Sequence, residues 1–94
     1  MQLLYSKMEY GILTSKFTIL MVSQDKIKFY RKLGAKILQA RIDSGLEQGD
    51  VASKIGKTQS YISKVETGDI KVDLYTLTLL VKVLKKPIGY FITE

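Results

Sequence analysis

The sequence contains no cysteine, no histidine and no tryptophan, and it has a single proline among 94 residues. Without cysteine there can be no disulfide bond, and without cysteine or histidine the usual zinc-finger ligand sets are excluded. Catalysis by a cysteine nucleophile or a histidine base is excluded for the same reason. The sequence also shows no paired-carboxylate cluster and no glycine-rich phosphate loop. We therefore expect a protein that is not an enzyme and that binds no cofactor, metal or small-molecule substrate.

A long apolar run is missing as well. The longest one, residues 17–22 with Thr18 inside it, is far too short to span a bilayer and is short for the core of a signal peptide. The absence of cysteine suits a reducing compartment. These features predict a cytoplasmic protein with no membrane partner.

What the sequence does have is basic charge and enough apolar residues for a core. Hydrophobic residues make up 46%, so 94 residues allow one domain with a modest interior. The net charge of +6 and the pI near 9.6 favour a polyanionic partner such as nucleic acid. Lys54, Lys57 and Lys64 also fall in a stretch that holds no acidic residue.

Apolar residues recur at intervals of three and four over residues 24–94, which predicts helices. Glycines can end a helix in the left-handed conformation, and Thr or Asp can cap a helix start. Such residues divide the segment into five helices: they are Gly45, Gly56, Thr58, Gly68, Asp73 and finally Pro87. The buried positions expected from the spacing are Ile27, Tyr30, Leu33, Ile37, Leu38, Ile42, Val51, Ala52, Ile55, Ile62, Val65, Leu74, Leu77, Val81 and Leu84. The fold class is therefore all-α.

Residues 1–23 lack this helical spacing and form an N-terminal extension. Residues 10–22 are rich in β-branched and aromatic side chains, which favours a strand or hairpin. Alternatively, Met21 is the natural start and the residues before it are a leader without a selected role. A third interpretation is an arm that contacts a second copy of the chain.

The segment from Gln48 to Gly68 is the most informative part of the chain. It predicts two short helices, the second at residues 59–67, joined by a tight turn at residues 56–58. The second helix leaves an outer face that holds Gln59, Ser60, Ser63 and Lys64. A helix with such a face is typical of proteins that place a helix in the major groove of DNA.

Residues 33–92 resemble the Cro and phage-repressor type of helix-turn-helix domain, including the restriction–modification controller proteins. The matching positions are Leu33, Gly34, Ile37, Arg41, Gly45, Leu46, Gln48, Val51, Ala52, Ile55, Gly56, Thr58, Gln59, Ile62, Ser63, Glu66 and Gly68. The resemblance implies a five-helix, lambda-repressor-like DNA-binding domain in a sequence-specific transcriptional regulator. Glu47, Gly49 and the proline-free loop 69–72 depart from the usual pattern.

The predicted roles fall into three groups. A glutamine can pair with both N6 and N7 of adenine, and Lys64 can donate to guanine or phosphate. The expected base contacts are Gln59, Ser60, Ser63 and Lys64. The expected phosphate contacts are Gln48, Lys57, Thr58, Tyr61 and Lys71, where Gln48 by resemblance also braces Gln59. By the same resemblance, Arg41 and Glu66 form a partly buried salt bridge that orients the DNA-reading helix.

The fourth helix carries a second apolar stripe, which predicts a homodimer. Its expected interface residues are Tyr75, Leu79, Val83, Ile88 and Phe91. In the alternative, residues of the N-terminal extension cover this stripe within one chain. A two-fold dimer would place its reading helices about 34 Å apart on a palindromic operator in double-stranded DNA. The competing function is a helix-turn-helix scaffold that serves as a protein-interaction module.

Overall fold

The structure is a computed structural model that describes the backbone of residues 15–92 and the side chains of residues 23–92. Its elements are α1 (Ser15–Asp43), α2 (Gln48–Ile55), α3 (Gln59–Thr67), α4 (Leu74–Leu84) and α5 (Ile88–Phe91). Since residues 15–92 contain five helices and no strand, the all-α prediction is confirmed. Within that range, no helix is both long and apolar enough to cross a membrane.

The first helix is longer than the sequence predicts. It begins at Ser15 and passes through the predicted boundary at residues 23 and 24 without a break. The strand prediction is therefore wrong for residues 15–22, and residues 10–14 lie outside the described part of the chain. β-branched residues lose only up to about 0.7 kcal/mol each in a helix relative to alanine. Extending an existing helix gains one hydrogen bond per residue, which offsets that preference.

The buried face of α1 consists of Leu33, Ile37 and Ala40, which pack against the other helices. Two residues predicted to be buried, Ile27 and Ile42, are exposed instead. Ile42 lies five residues beyond Ile37, a rotation of about 140° around the helix. That angle carries it off the contact face. Ile27 precedes the part of α1 that meets the other helices.

Helix α4 buries Leu77 and Leu84 as predicted, but the rest of its buried face differs from the prediction. Leu74 is 74% exposed, whereas Leu80, absent from the expected core, is completely buried. Thr76, Leu77 and Leu84 are buried with Leu80. The remaining members of the core are Val51, Ala52, Ile55, Ile62, Val65, Val72 and Phe91. These residues form one core, which holds α4 and α5 against the rest of the domain.

Candidate nucleic-acid interface

A three-residue turn determines where α3 begins. Gly56 ends α2 in the left-handed conformation, with φ 72° and ψ 32°, where a residue with a Cβ would be strained. The N–H of Lys57 then donates to the carbonyl oxygen of Ala52 at 2.9 Å. Thr58 is extended, and its hydroxyl accepts a hydrogen bond of 3.1 Å from the N–H of Tyr61. Gln59 is therefore the first helical residue after the turn.

Apolar contacts hold α3 against α2. Ile62 and Val65 are almost completely buried, and they belong to the same core as Val51, Ala52 and Ile55. Because these side chains occupy the inner face of α3, the opposite face is turned to solvent. The core thus fixes which residues of α3 a partner can reach.

The outer face of α3 contains the four predicted base contacts. Gln59, Ser60 and Lys64 are exposed and Ser63 is half-buried. At about 100° per residue, the four positions lie within an arc of about 140°. The sole acidic residue of α3 is Glu66, which is buried. The arc consequently has polar and positive groups but no carboxylate, although contact with bases stays a prediction.

A salt bridge joins α1 to the last turn of α3. Arg41 Nε donates to Glu66 Oε2 at 2.6 Å, and Arg41 Nη2 donates to Glu66 Oε1 at 3.2 Å. The Glu66 side chain is only 4% exposed. The hydrogen bond to Glu66 raises the pKa of Arg41, and burial opposes this rise. Arg41 Nη1 also donates to the carbonyl oxygen of Leu46 at 2.9 Å, which ties the bridge to the start of α2.

Gln48 connects this salt bridge to the exposed face of α3. Its Nε2 donates to Glu66 Oε1 at 2.8 Å, and its Oε1 accepts a hydrogen bond of 3.4 Å from Gln59 Nε2. The bond between the two glutamines is the brace that the resemblance implies. The bond to Glu66 is additional, and it was not anticipated from the sequence because it depends on how α1, α2 and α3 meet. The second N–H of Gln48 Nε2 leaves its predicted phosphate contact open.

The predicted phosphate contacts around the turn differ in their surroundings. Lys57 and Thr58 are exposed, and Lys57 Nζ stands 4.9 Å from the centre of the Tyr61 ring. The ring of Tyr61 is half-buried against the core. Burial raises the pKa of Tyr61, and the hydrogen bond with the Thr76 side chain partly counters this rise. Tyr61 thus has a structural role in packing, and its phosphate contact stays a prediction.

Lys71 lies near a second lysine that the sequence reasoning missed. A cleft of about 330 Å³ beside the end of α3 is lined by Lys26, Tyr30, Gly68, Asp69, Lys71 and neighbouring residues. A side-chain hydrogen bond with Lys26 lowers the pKa of Lys71, and the repulsion between the two positive groups adds to this effect. An anion between them would relieve this repulsion. No local sequence signal pairs Lys26 with Lys71, since they belong to different elements.

The fold exposes some residues of the predicted dimer surface and buries others. Tyr75 and Ile88 are exposed, by 71% and 47%, and are available to a partner. Leu79 and Val83 are half-buried and pack against the core. Phe91 is only 3% exposed, so its assignment to the interface needs correction: it closes the core of its own chain. Its aromatic ring is used to anchor α5, and it is not accessible to a second copy.

The fold and this surface define a class of protein. A family profile described as helix-turn-helix matches residues 37–91, more than half of the chain, and the chain belongs to this family. Its family is that of the DNA-binding, Cro-type helix-turn-helix transcription regulators. The predicted resemblance to Cro-type domains and controller proteins is confirmed.

The chain is similar to other known proteins. The crystal structure of the restriction-modification controller protein C.AhdI from Aeromonas hydrophila matches with a TM-score of 0.62 and 28% sequence identity. That match covers 73% of this chain and 94% of the controller protein. A lysine–tRNA ligase of Mycoplasmopsis synoviae (strain 53) is 37% identical over 79 residues. The match covers 81% of this chain but spans only 15% of the length of the ligase.

Proposed function

We propose that this protein is a sequence-specific transcriptional regulator that binds a palindromic operator as a homodimer. Each protomer would place residues 59–67 in the major groove. The observation that carries the proposal is the exposed arc of α3, which has no carboxylate. The one acidic residue of the helix, Glu66, is turned inward and paired with Arg41. A face of this kind can approach polyanionic DNA without repulsion, and its side chains can reach base edges.

Some residues of the site would contact the DNA bases, and others would contact the phosphates of the DNA backbone. Gln59 would pair with adenine, Lys64 would donate to guanine or a phosphate, and Ser60 and Ser63 would add hydrogen bonds. Phosphate contacts set the position of the protein without reading sequence. The residues proposed for them are Gln48, Lys57, Thr58, Tyr61 and Lys71. The position of Lys26 and Lys71 along one cleft supports a phosphate contact there.

The proposed dimer uses the exposed apolar surface of α4 and α5. Tyr75 and Ile88 would form its centre, with Leu79 and Val83 partly available beside them. A two-fold axis there would place the two copies of α3 on half-sites about one helical turn, roughly 34 Å, apart. With this spacing, the two short half-sites together form one longer recognition sequence.

Selection of bound duplexes from a random pool tests this function. We expect an enriched inverted repeat with half-sites about 10 base pairs apart. Tight binding without an enriched sequence would contradict sequence-specific regulation and favour an architectural role. No binding even at low salt would contradict the DNA-binding function and support the protein-interaction scaffold.

Two variants separate base reading from backbone contact. Gln59→Ala should reduce discrimination at one position of each half-site by about 1–3 kcal/mol. Lys57→Ala should weaken binding to all sequences about equally and reduce the salt slope by about 1 per protomer. Competition binding at two salt concentrations measures both effects. An equal loss on all sequences for Gln59→Ala would contradict its assignment to base reading.

The dimer has its own test. Tyr75→Glu places a charge at the centre of the proposed interface and should weaken dimerisation by about 1.4 kcal/mol or more, a factor of about ten. Ser53→Glu, an exposed change on α2, is the matched control and should leave the association constant unchanged. Sedimentation equilibrium measures the association of both variants. A wild-type protein that stays monomeric, or equal association of both variants, would exclude this interface.

A further inference from the structure

A continuous series of hydrogen bonds runs from Arg41 through Glu66 and Gln48 to Gln59. Each amide in the series has a definite orientation. Glu66 accepts from Arg41 and also from Gln48 Nε2, at 2.8 Å. Gln48 Oε1 in turn accepts from Gln59 Nε2 at 3.4 Å. We call these four residues the amide relay. It begins at a buried salt bridge and ends at the first residue of α3, on the exposed face.

A single charge determines the direction of the amide relay. A carboxylate can only accept hydrogen bonds, whereas a glutamine amide has a donor end and an acceptor end that can exchange by rotation. Arg41 stays charged, and its guanidinium donates hydrogen bonds to both oxygens of the Glu66 carboxylate. Gln48 must therefore turn its NH₂ group toward Glu66 and its oxygen toward Gln59. Gln59 can satisfy that oxygen only by presenting its own NH₂ group.

The direction of the relay determines which groups Gln59 offers to a base. One N–H of its amide is committed to Gln48, so the oxygen and the other N–H remain free. An acceptor and a donor side by side match N6 and N7 of adenine in the major groove. If the amide were reversed, its oxygen would face Gln48 and both N–H groups would be free. Two donors match N7 and O6 of guanine.

We propose that Glu66 is a specificity-positioning residue that, through Gln48, orients the Gln59 amide to select adenine over guanine. This inference rests on the proposed function of Gln59 as a base-reading residue. It assigns to the buried carboxylate an effect beyond joining α1 to α3. A purely structural salt bridge would change affinity and stability without changing which base is preferred.

The direct test is Glu66→Gln, which exchanges an acceptor for a group that can also donate. The new amide can accept from Arg41 with its oxygen and donate to Gln48 with its NH₂ group. Gln48 then presents NH₂ to Gln59, and the relay is reversed. In competition binding on duplexes that differ at the contacted base pair, we expect the preference to move from adenine toward guanine by about tenfold or more. Preferences at positions contacted by other residues should not change.

A second variant keeps the test decisive where Glu66→Gln destabilises the fold. Gln48→Ala removes the relay but keeps the bridge between Arg41 and Glu66. The preference between adenine and guanine should then decrease without reversing, while the thermal midpoint stays close to that of the wild type. Adding Glu66→Gln to Gln48→Ala should not alter the base preference further, because the connecting amide is gone.

The outcomes distinguish this inference from the function on which it rests. A wild-type protein with no base preference at any position would overturn the sequence-specific function and, with it, a role for Glu66 in base choice. A wild-type preference that persists unchanged in both Gln48→Ala and folded Glu66→Gln would overturn the relay alone. Side-chain amide NMR of the free protein gives an independent reading. The Gln48 NH₂ resonances should shift strongly in Glu66→Gln, and unchanged resonances would also overturn the relay.

Discussion

The backbone of Gly34 in α1 lies directly against the end of α3, at the carbonyl oxygen of Val65. A Cβ atom placed on Gly34 would stand 2.3 Å from that oxygen and 2.6 Å from the carbonyl oxygen of Glu66. Both neighbours are backbone atoms, so neither can move without moving α3. The missing side chain therefore sets the distance between the long helix and the helix proposed to read DNA.

Replacing Gly34 with alanine should destabilise the protein strongly. Overpacking costs about 1–3 kcal/mol and occasionally more, and here the obstructing atoms are backbone. The matched control is Gly49→Ala in α2, where nothing lies within 4 Å of the added Cβ. That variant should gain up to about 1 kcal/mol from higher helix propensity. Urea unfolding measures both, and equal free energies of unfolding for the two variants would contradict this account.

Removing the guanidinium of Arg41 should leave a buried charge without its partner. Arg41→Ala is expected to lower the free energy of unfolding by about 3–5 kcal/mol, as for other buried pairs broken on one side. The control is Lys86→Ala, which breaks the more exposed pair with Asp43 at 3.3 Å. Exposed pairs contribute little, so this change should be small. Similar losses for both variants would show that burial of Glu66 does not govern the energy.

Leu74, which is expected from the sequence to be buried, and Leu80, which is absent from the expected core, give a third prediction. Leu80→Ala removes a fully buried side chain and should cost about 2–5 kcal/mol. Leu74→Ala changes a side chain that is 74% exposed and should have little effect on the protomer. Denaturant unfolding at low protein concentration compares them. A larger loss for Leu74→Ala would restore the original assignment of the buried face.

Protonation of the Asp73 carboxylate should contribute to unfolding of the protein at acid pH. Hydrogen bonds from Thr76 lower the pKa of Asp73 from its ordinary value of 3.8. A lowered folded-state pKa means that stability present above 3.8 is lost as the pH falls through the folded-state value. Asp73→Asn keeps a good N-cap but cannot titrate. Thermal unfolding at pH 7 and pH 3 should show a smaller acid-induced decrease for Asp73→Asn, and equal decreases would contradict the assignment.

The part of the fold around the turn could be predicted from the sequence because each of its signals is local. Gly56 is glycine because the chain turns left-handed there, and Thr58 caps the helix that follows. The expected burial of Val51, Ala52 and Ile55 in α2 is confirmed, and so is that of Ile62 and Val65 in α3. Short amphipathic helices between such caps have only one arrangement that buries their apolar face.

Other features depend on tertiary contacts that spacing does not encode. Helix α4 carries apolar residues on all sides, so periodicity cannot decide between Leu74 and Leu80. Only the approach of the other helices determines that Leu80 is inside. The same limit applies to Phe91, which is expected from the sequence at the dimer interface but fills the core of its own chain. Within the candidate site, the bond between Gln48 and Glu66 requires three helices to be in place.

The length of α1 has a consequence for how the protein opens locally. Over residues 23–29 every side chain is exposed, whereas Leu33, Ile37 and Ala40 of the same helix are buried. Local opening costs little where few apolar contacts are lost and approaches the global free energy of unfolding in a core. Amide hydrogen exchange should therefore be fast at residues 23–29 and slow from Leu33 onward. A single uninterrupted helix would thus report two very different protection levels, and the transition near Tyr30 would mark the edge of the cooperative folding unit.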